Sequence, residues 1–178
     1  VNKVRLTGGE PLLRRNLPDL VRLIAGNKRL RDIALTTNGM LLAEQAEALR
    51  SAGLLRVTVS LDTLRADRFL TLTRRYALEP VLEALAMVSE MDFQSVKIDA
   101  VILKGANEDE LVPLIEHSRK LGVEVRFIEY MDVGGATRWS FERVFTKTEM
   151  LDAIRKHYGT VTNAPSDPSS PARRYQLK

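Results

Sequence analysis

Val4-Arg5-Leu6-Thr7-Gly8-Gly9-Glu10-Pro11-Leu12-Leu13-Arg14 is the stretch that decides the fold of this chain. A short apolar and β-branched run leads into two adjacent glycines, a carboxylate and a proline. Neighbouring glycines weaken a strand, but they permit positive φ or a close approach of the backbone to a ligand. The stretch therefore predicts either a tight strand-to-helix turn or a binding loop in which Glu10 accepts hydrogen bonds from an amine or a ribose hydroxyl.

Outward from this stretch, strand-like and helical patterns alternate along the chain. The strand-like segments are 3–7, 32–37, 56–62, 96–103 and 124–131. Helical periodicity marks segments 17–26, 41–52, 65–72, 77–91 and 107–121. Strands that alternate with helices at this spacing indicate parallel βα units. Right-handed crossovers then give either a doubly wound sheet or a (β/α) barrel.

Two features favour the barrel. No G-x-G-x-x-G follows the first strand, which disfavours a dinucleotide-binding sheet. Strands buried on both faces are nearly continuous apolar runs, whereas these strands carry polar residues on one side: Arg5, Thr7, Thr36, Asn38, Thr58, Ser60, Asp62, Lys97 and Asp99. The prediction is an α/β fold, a partial (β/α) TIM-like barrel with a polar site at the carboxyl ends of its strands. The alternative is a set of isolated, satisfied polar residues on half-exposed strands.

The last third of the chain has its own local signals. Thr146 is predicted to cap a helix ending at His157, with Glu149 at its third position. Asn107 is similarly predicted to cap the helix 107–121. Segment 132–145 is predicted to be a loop anchored by Trp139, segment 160–174 a loop or disordered tail, and segment 175–178 the start of another strand. These patterns predict a core at 1–158 and a linker at 159–178. Because the chain lacks an initiator Met and begins and ends in strand-like runs, we expect it to be part of a longer protein.

Composition narrows the function classes. Apolar residues make up 44% and charged residues 28% of the 178 residues, and no apolar run approaches a membrane span, so a cytoplasmic protein is predicted. The net charge of +4 is scattered and aromatic residues are only 6%, which argues against nucleic-acid binding. The chain has no cysteine, which excludes thiol catalysis and cysteine-ligated metal sites within it. His117 and His157 are predicted to pack or to face solvent rather than to bind metal.

Several cations lie on predicted strands, and Arg5, Lys97 and Arg126 are on three different ones. A cation on a buried strand is costly unless it is paired or serves a ligand. One interpretation is a phosphate clamp, since guanidinium groups match phosphate oxygens. The other is internal pairing, with Glu10, Asp62, Asp99 and Glu129 as the available carboxylates.

Five motifs occur together in this order: Thr7-Gly-Gly-Glu-Pro-Leu-Leu-Arg14, Leu35-Thr-Thr-Asn-Gly39, Val59-Ser-Leu-Asp62, Val96-Lys-Ile-Asp-Ala-Val101 with Lys104-Gly-Ala-Asn-Glu-Asp-Glu110, and Arg126-Phe-Ile-Glu-Tyr-Met131. In this order and spacing they resemble the radical S-adenosylmethionine (SAM) enzymes, and in particular the GTP 3′,8-cyclase family of molybdenum cofactor biosynthesis protein A. The resemblance extends over about residues 1–155. The first motif is shared across the superfamily, whereas the last is much narrower.

The resemblance implies two sets of binding residues. SAM would be bound by Gly8, Gly9, Glu10, Ser60 and Met131, with Met131 near the adenine. GTP would be bound by Arg5, Thr36 and Lys97, with Arg126 as a further partner. The predicted phosphate clamp and the substrate site implied by the family therefore fall on the same residues. Two positions depart from the family's pattern, because Asp99 stands where Asn is common and Asp132 where Pro is common. The added carboxylate at position 99 would weaken phosphate binding or pair with Lys97.

The resemblance also implies a reaction and its partners. SAM would be cleaved to a 5′-deoxyadenosyl radical, which takes the ribose 3′ hydrogen of GTP before the carbon radical attacks C8. Two [4Fe–4S] clusters would be ligated by cysteines outside residues 1–178, so this chain alone is expected to be inactive. An electron donor and a downstream cyclic pyranopterin monophosphate synthase are the expected partners, and a homodimer is possible. The alternatives are another radical SAM enzyme acting on a peptide or nucleoside, and a non-catalytic phosphate-binding βα-barrel relic.

Overall fold

The computed structural model describes residues 1–132, 139–165 and 172–177. Its centre is a parallel sheet of five strands: β1 (Lys3–Leu6), β2 (Asp32–Thr37), β3 (Arg56–Ser60), β4 (Ser95–Ile102) and β5 (Glu124–Glu129). The strands lie in the order β1-β2-β3-β4-β5. A doubly wound sheet reverses its strand order at a switch point, and this sheet does not. The predicted partial barrel is therefore confirmed.

Helices connect the strands and cover one face of the sheet. They are α1 (Leu17–Ala25), α2 (Leu42–Ser51), α3 (Ala66–Thr73), α4 (Leu78–Glu90), α5 (Leu111–Lys120) and α6 (Lys147–Tyr158). Three 3-10 turns lie at Pro11–Leu13, Glu108–Glu110 and Phe141–Arg143. The predicted strands agree with these bounds to within two residues, since the hydrophobic pattern ends where the turns begin.

The two faces of the sheet differ in chemistry. The register sets Leu35 level with Val57 and Val59 level with Ile98, and all four side chains are buried in the core shared with the helices. Side chains alternate along a strand, so the intervening residues lie on the opposite face. That second face carries Thr36, Thr58, Lys97 and Glu124 at one level of the register, and Ser60, Asp99 and Arg126 at the next. We call it the polar face; it is the one-sided polar pattern that the sequence predicted.

Helix α6 begins with the predicted capping box. The Thr146 hydroxyl accepts a hydrogen bond from the Glu149 backbone N–H at 3.3 Å. The Glu149 carboxylate in turn accepts one from the Thr146 backbone N–H at 2.8 Å and lies 2.8 Å from Lys104 Nζ. Together, the Lys104 ammonium and the Thr146 donors lower the pKa of Glu149 to about 2.

This pKa gives a pH prediction for Glu149→Gln. A carboxyl whose folded-state pKa is depressed contributes stability above its unfolded value of 4.5, and that contribution is lost as the pH falls toward about 2. We therefore expect the free energy of unfolding of the wild type to fall more steeply over this window than that of Glu149→Gln. Urea unfolding followed by circular dichroism at several pH values measures both slopes. Parallel slopes would contradict the capping role of the carboxylate.

Two local predictions were wrong. Asn107 does not cap a helix with its side chain, because α5 begins only at Leu111 after the turn Glu108–Glu110. Its buried side-chain amide instead donates hydrogen bonds to the backbone carbonyls of Asp62 and Val101. The predicted loop or tail at 160–174 is wrong at its start, since β6 (Val161–Asn163) pairs antiparallel with β7 (Tyr175–Leu177), and its residues 166–171 lie outside the described part of the chain. The predicted strand start at 175–178 is confirmed by β7, and the predicted linker at 159–178 thus contains both strands.

Part of the predicted loop 132–145 lies outside the described residues, namely 133–138. In the described part, Trp139 Nε1 donates a 3.4 Å hydrogen bond to the Tyr130 carbonyl, in keeping with an anchoring role. Across residues 1–132, 139–165 and 172–177, no helix has the length and apolar character to span a membrane.

Candidate functional site

A cavity of about 380 Å³ lies at the carboxyl ends of β1, β2 and β3. This end of a parallel βα sheet is where such folds place ligands, because the loops after the strands converge there. Polar side chains and an apolar wall share the lining, which consists of Glu10, Leu13, Asn38, Met40, Leu41, Ser60, Asp62, Thr63, Phe69, Leu72, Thr73 and Arg75. We call this cavity the cleft.

Glu10 lines the cleft, and Gly8 and Gly9 precede it directly in the turn after β1. Gly8 has a φ of +143°, which side-chain-bearing residues rarely adopt, and a Cβ on either glycine would meet no atom within 4 Å. Backbone conformation therefore favours glycine at position 8, tight packing requires it at neither position, and both residues leave exposed main chain beside the cleft. Both the tight-turn and the binding-loop interpretations of the sequence are compatible with this geometry.

Glu10 ties the β1 loop to the β2 loop. One of its carboxylate oxygens accepts hydrogen bonds from Leu12 N at 3.0 Å and Thr37 Oγ1 at 2.7 Å, and the other accepts one from Asn38 N at 2.8 Å. These three donors hold the carboxylate in place at the edge of the cleft. An amine or ribose hydroxyl would use the one acceptor position that remains on the Asn38-bound oxygen, since a carboxylate offers about four such positions.

Asp62 is a cleft residue that the sequence placed on the polar side of its strand but not among the residues predicted to bind SAM or GTP. It follows β3 on the same side as Ser60, which was the available signal. Its Oδ1 accepts a 2.8 Å hydrogen bond from Val101 N. Burial raises the pKa of the Asp62 carboxyl above its usual value, although the Val101 N–H acts in the opposite direction. Besides Glu10, the cleft thus contains a second carboxyl, which is poorly solvated.

Arg5 extends from β1 across the polar face. Its Nη1 donates to Thr36 Oγ1 at 2.8 Å and lies 3.4 Å from Thr58 Oγ1. Burial, then the Arg126 and Arg56 guanidiniums, lower the pKa of Arg5 from its ordinary value. Within the described part of the chain, Arg5 forms no ion pair of 4.0 Å or less. Asp99 and Asp32 act on this pKa in the opposite direction, but neither forms an ion pair with Arg5 among the described residues.

Lys97 and Arg126, the other two cations of the predicted phosphate clamp, are paired internally. Lys97 Nζ lies 2.6 Å from Glu124 Oε1, and the Arg126 guanidinium makes two hydrogen bonds of 2.6 and 2.7 Å to Asp99. The internal-pairing interpretation is thus confirmed for Arg126 with Asp99. The predicted pairing of Asp99 with Lys97 is wrong, because the β4–β5 register sets Asp99 level with Arg126 and Lys97 level with Glu124. Level residues on neighbouring strands are closer than residues two apart on one strand.

The structure separates the residues predicted to bind SAM. Glu10 and Ser60 line the cleft, and Gly8 and Gly9 adjoin it through the same turn. Met131 follows β5 at the opposite edge of the sheet, has 61% of its surface exposed, and is not among the described residues that line the cleft. The residues predicted to bind GTP, by contrast, all lie on the polar face.

The cleft has the chemistry that SAM requires. Its carboxyls and hydroxyl suit an ammonium group and a ribose, and Leu13, Met40 and Phe69 offer an apolar surface for an adenine. An iron–sulfur cluster does not fit this chain, because its usual ligands are cysteines and the chain has none. The described residues also contain no group of three or more His, Asp or Glu side chains placed to hold a metal ion.

Solved structures with this fold come from several enzymes. A structure titled TYW1 with a lysine-pyruvate adduct bound superimposes with a TM-score of 0.70 and 18% identity, over 99% of this chain and 57% of that one. A domain of pyruvate-formate lyase-activating enzyme from Bacteroides vulgatus gives a TM-score of 0.67 and 19% identity, over 86% of this chain and 90% of that one. These likenesses concern the fold alone.

Curated relatives are much closer in sequence. GTP 3′,8-cyclase 1 of Mycobacterium tuberculosis is 48% identical over 99% of this chain and 50% of its own length. GTP 3′,8-cyclase of Syntrophomonas wolfei is 43% identical over 100% of this chain and 55% of its own length. The chain therefore spans about half the length of the curated relatives it matches.

A family model gives the assignment. The radical SAM superfamily model matches residues 1–118, which include β1 to β4 and the entire lining of the cleft. The sequential parallel sheet, the glycine turn after β1 and the cleft beside it agree with that match. The chain belongs to the radical SAM superfamily.

Proposed function

We propose that this chain is the SAM- and GTP-binding core of a GTP 3′,8-cyclase. The observation that carries the proposal is the 48% identity to GTP 3′,8-cyclase 1 of Mycobacterium tuberculosis over 99% of the chain. The polar face supports it independently, since it offers one arginine, Arg5, with no ion pair among the described residues, and two further cations, Lys97 and Arg126. In this proposal residues 1–158 form the radical SAM core.

SAM is proposed to bind in the cleft, against Gly8, Gly9, Glu10 and Ser60. The exposed main chain of the two glycines and the oriented Glu10 carboxylate support this placement for the methionine amine. Met131 is proposed to approach the adenine from the opposite edge of the sheet. Bound SAM supplies the radical chemistry, while the chain's own residues orient it and exclude water.

GTP is proposed to bind along the polar face, with its phosphates on Arg5, Thr36, Lys97 and Arg126. Four cationic side chains of this face, including Arg56, are balanced by Asp32, Asp99 and Glu124, which leaves one net positive charge on these seven groups. A triphosphate therefore meets Arg5 directly. It must compete with Glu124 for Lys97 and with Asp99 for Arg126.

The remaining partners follow from the same proposal. Two [4Fe–4S] clusters with ligands outside residues 1–178, an electron donor, a cytoplasmic location, and a cyclic pyranopterin monophosphate synthase that uses the product are proposed on the basis of the cyclase relatives. A homodimer is proposed as the working assembly.

Product analysis tests the proposed function. The full-length gene product, purified without oxygen, is incubated with SAM, a reductant and GTP, and the nucleotides are separated by liquid chromatography and mass spectrometry. We expect conversion of GTP to an isomer of the same mass that elutes separately, the 3′,8-cyclised nucleotide. Consumption of SAM with full recovery of GTP would overturn the proposal and favour a radical enzyme for a peptide or another nucleoside.

Asp99→Asn is expected to tighten GTP binding. The substitution keeps the side-chain shape and removes the charge that holds Arg126 at 2.6 and 2.7 Å. A partly exposed pair of this kind contributes about 1 kcal/mol, so releasing Arg126 should lower the Kd for GTP by about fivefold. Isothermal titration calorimetry of the full-length protein measures the change.

The matched control is Asp19→Asn, which neutralises a carboxylate paired with Arg22 at 2.5 Å on the exposed side of α1. It changes the net charge equally but lies on a helix outside the sheet. We expect no change in its affinity for GTP. If both variants gain affinity to the same extent, or neither does, Asp99 is not a competitor of the phosphates.

A further inference from the structure

We propose that Arg174 is a nucleotide-binding residue, which holds a phosphate group of the substrate together with Lys97. This inference rests on the proposed function and adds to it a residue from the β6–β7 ribbon. Arg174 precedes β7 directly, far along the chain from the strands of the main sheet. The contacts of Glu124 bring it to the polar face.

Glu124 is shared by two cations. Its Oε1 lies 2.6 Å from Lys97 Nζ, and its Oε2 lies 3.0 Å from Arg174 Nη2. The two cationic nitrogens are thus separated by one carboxylate group. A phosphate group offers oxygens in a similar span and carries more negative charge, so it can replace the carboxylate and contact both cations.

The backbone of Arg174 is fixed by the ribbon. Its carbonyl accepts a 3.0 Å hydrogen bond from Ala164 N, and the next residue, Tyr175, pairs with Asn163 of β6. This pairing directs the guanidinium toward Glu124, 50 residues away in sequence. An arginine on a free tail would gain little from such a contact, because an exposed ion pair barely offsets the entropy of ordering two long side chains.

The pair is accessible and easily exchanged. The side chains of Arg174 and Glu124 are 55% and 35% exposed, so this ion pair contributes little stability and a ligand can reach both groups. Because Lys97 and Arg174 share the single carboxylate of Glu124, this cluster of three groups carries one net positive charge. Arginine presents a planar fork of donors that matches phosphate oxygens in pairs. The cluster therefore has the charge and the geometry of an anion site.

The test compares Arg174→Gln with Arg173→Gln in the full-length protein. Arg173 is the adjacent exposed arginine, so the two variants lose the same charge from the same segment. Affinities for GTP and for guanosine are measured by isothermal titration calorimetry. We expect Arg174→Gln to weaken GTP binding about tenfold and to leave guanosine binding unchanged, with no effect of Arg173→Gln on either. Arg174→Lys should recover part of the loss, because it restores the charge without the fork.

Several outcomes overturn the inference. Wild-type affinity for GTP in Arg174→Gln would remove Arg174 from the phosphate site. An equal loss of GTP and guanosine affinity, accompanied by a lower midpoint of thermal unfolding, would assign the Glu124 contact to attachment of the ribbon only. A wild-type protein that binds no GTP at all would instead reject the proposed function, which is a distinct result from a selective failure of Arg174.

Discussion

Arg5→Ala is expected to weaken GTP binding by the full-length protein by about 1.5–3 kcal/mol, roughly 10- to 150-fold in Kd. Hydrogen bonds between charged groups carry contributions of this size. Arg5 is oriented by Thr36 at 2.8 Å and forms no ion pair within the described residues, so its contact with a phosphate costs no internal carboxylate contact. Burial, then the nearby guanidiniums of Arg126 and Arg56, lower the pKa of Arg5, whereas Asp99 and Asp32 act in the opposite direction.

Two controls separate this role from charge alone. Arg15→Ala removes an exposed arginine beyond the Pro11–Leu13 turn and is expected to leave the affinity for GTP unchanged. Arg5→Lys keeps the charge but loses the fork that contacts Thr36 and a phosphate together, so an intermediate affinity is expected. Calorimetric titration with GTP and with guanosine provides the measurement. If Arg5→Ala binds GTP as tightly as the wild type, Arg5 does not belong to the phosphate site.

Lys97→Ala is expected to weaken GTP binding by a similar amount to Arg5→Ala, but for a different reason. Removing Lys97 deletes a phosphate ligand and also frees the Glu124 carboxylate, which then repels the phosphates. Arg174 remains beside Glu124 at 3.0 Å and moderates that repulsion. The double substitution Lys97→Ala with Glu124→Gln should therefore bind GTP more tightly than Lys97→Ala alone.

Asn107→Ala is expected to lower the free energy of unfolding by about 3 kcal/mol, the largest stability effect that we predict, because buried polar groups without partners cost about 1–3 kcal/mol each. The fully buried Asn107 amide accepts from Leu103 N at 2.7 Å and donates to the Asp62 and Val101 carbonyls at 2.8 and 2.9 Å. Alanine leaves all three backbone groups unpaired. It also loosens the link between the ends of β3 and β4.

Chemical unfolding in urea measures the effect, with Asn163→Ala, an exposed asparagine of β6, as the matched control. Asn107→Asp should fail to rescue stability, since a carboxylate cannot donate to the two carbonyls and would be buried as a charge. Because Asp62 lines the cleft, SAM affinity should fall in Asn107→Ala under conditions where the protein remains folded. An unfolding free energy within about 0.5 kcal/mol of the wild type would refute the linking role.

Much of the fold was predictable because it depends on local patterns. Hydrophobic periodicity located the five strands of the main sheet to within two residues, and the Thr146–Glu149 spacing predicted the capping box. Polar residues at alternate positions predicted a polar face, which the register confirms. Each of these signals is carried by residues within a few positions of one another.

The partners of the charged residues were harder to predict because they depend on register between strands. Glu124 was not among the carboxylates considered for Lys97, since its level relative to β4 is fixed only by the pairing of β4 with β5. Asn107 has the sequence context of a helix cap, yet its side-chain amide hydrogen-bonds backbone carbonyls at the ends of β3 and β4. Strand β6 was missed because its three residues are too few for a periodic pattern.

Transfer of deuterium from GTP labelled at C3′ is the most direct test of the central claim that this chain is the core of a GTP 3′,8-cyclase. The full-length protein is incubated without oxygen with SAM, a reductant and the labelled GTP, and the 5′-deoxyadenosine formed is analysed by mass spectrometry. We expect 5′-deoxyadenosine that carries deuterium, together with the cyclised nucleotide. Unlabelled 5′-deoxyadenosine beside unchanged GTP would contradict it.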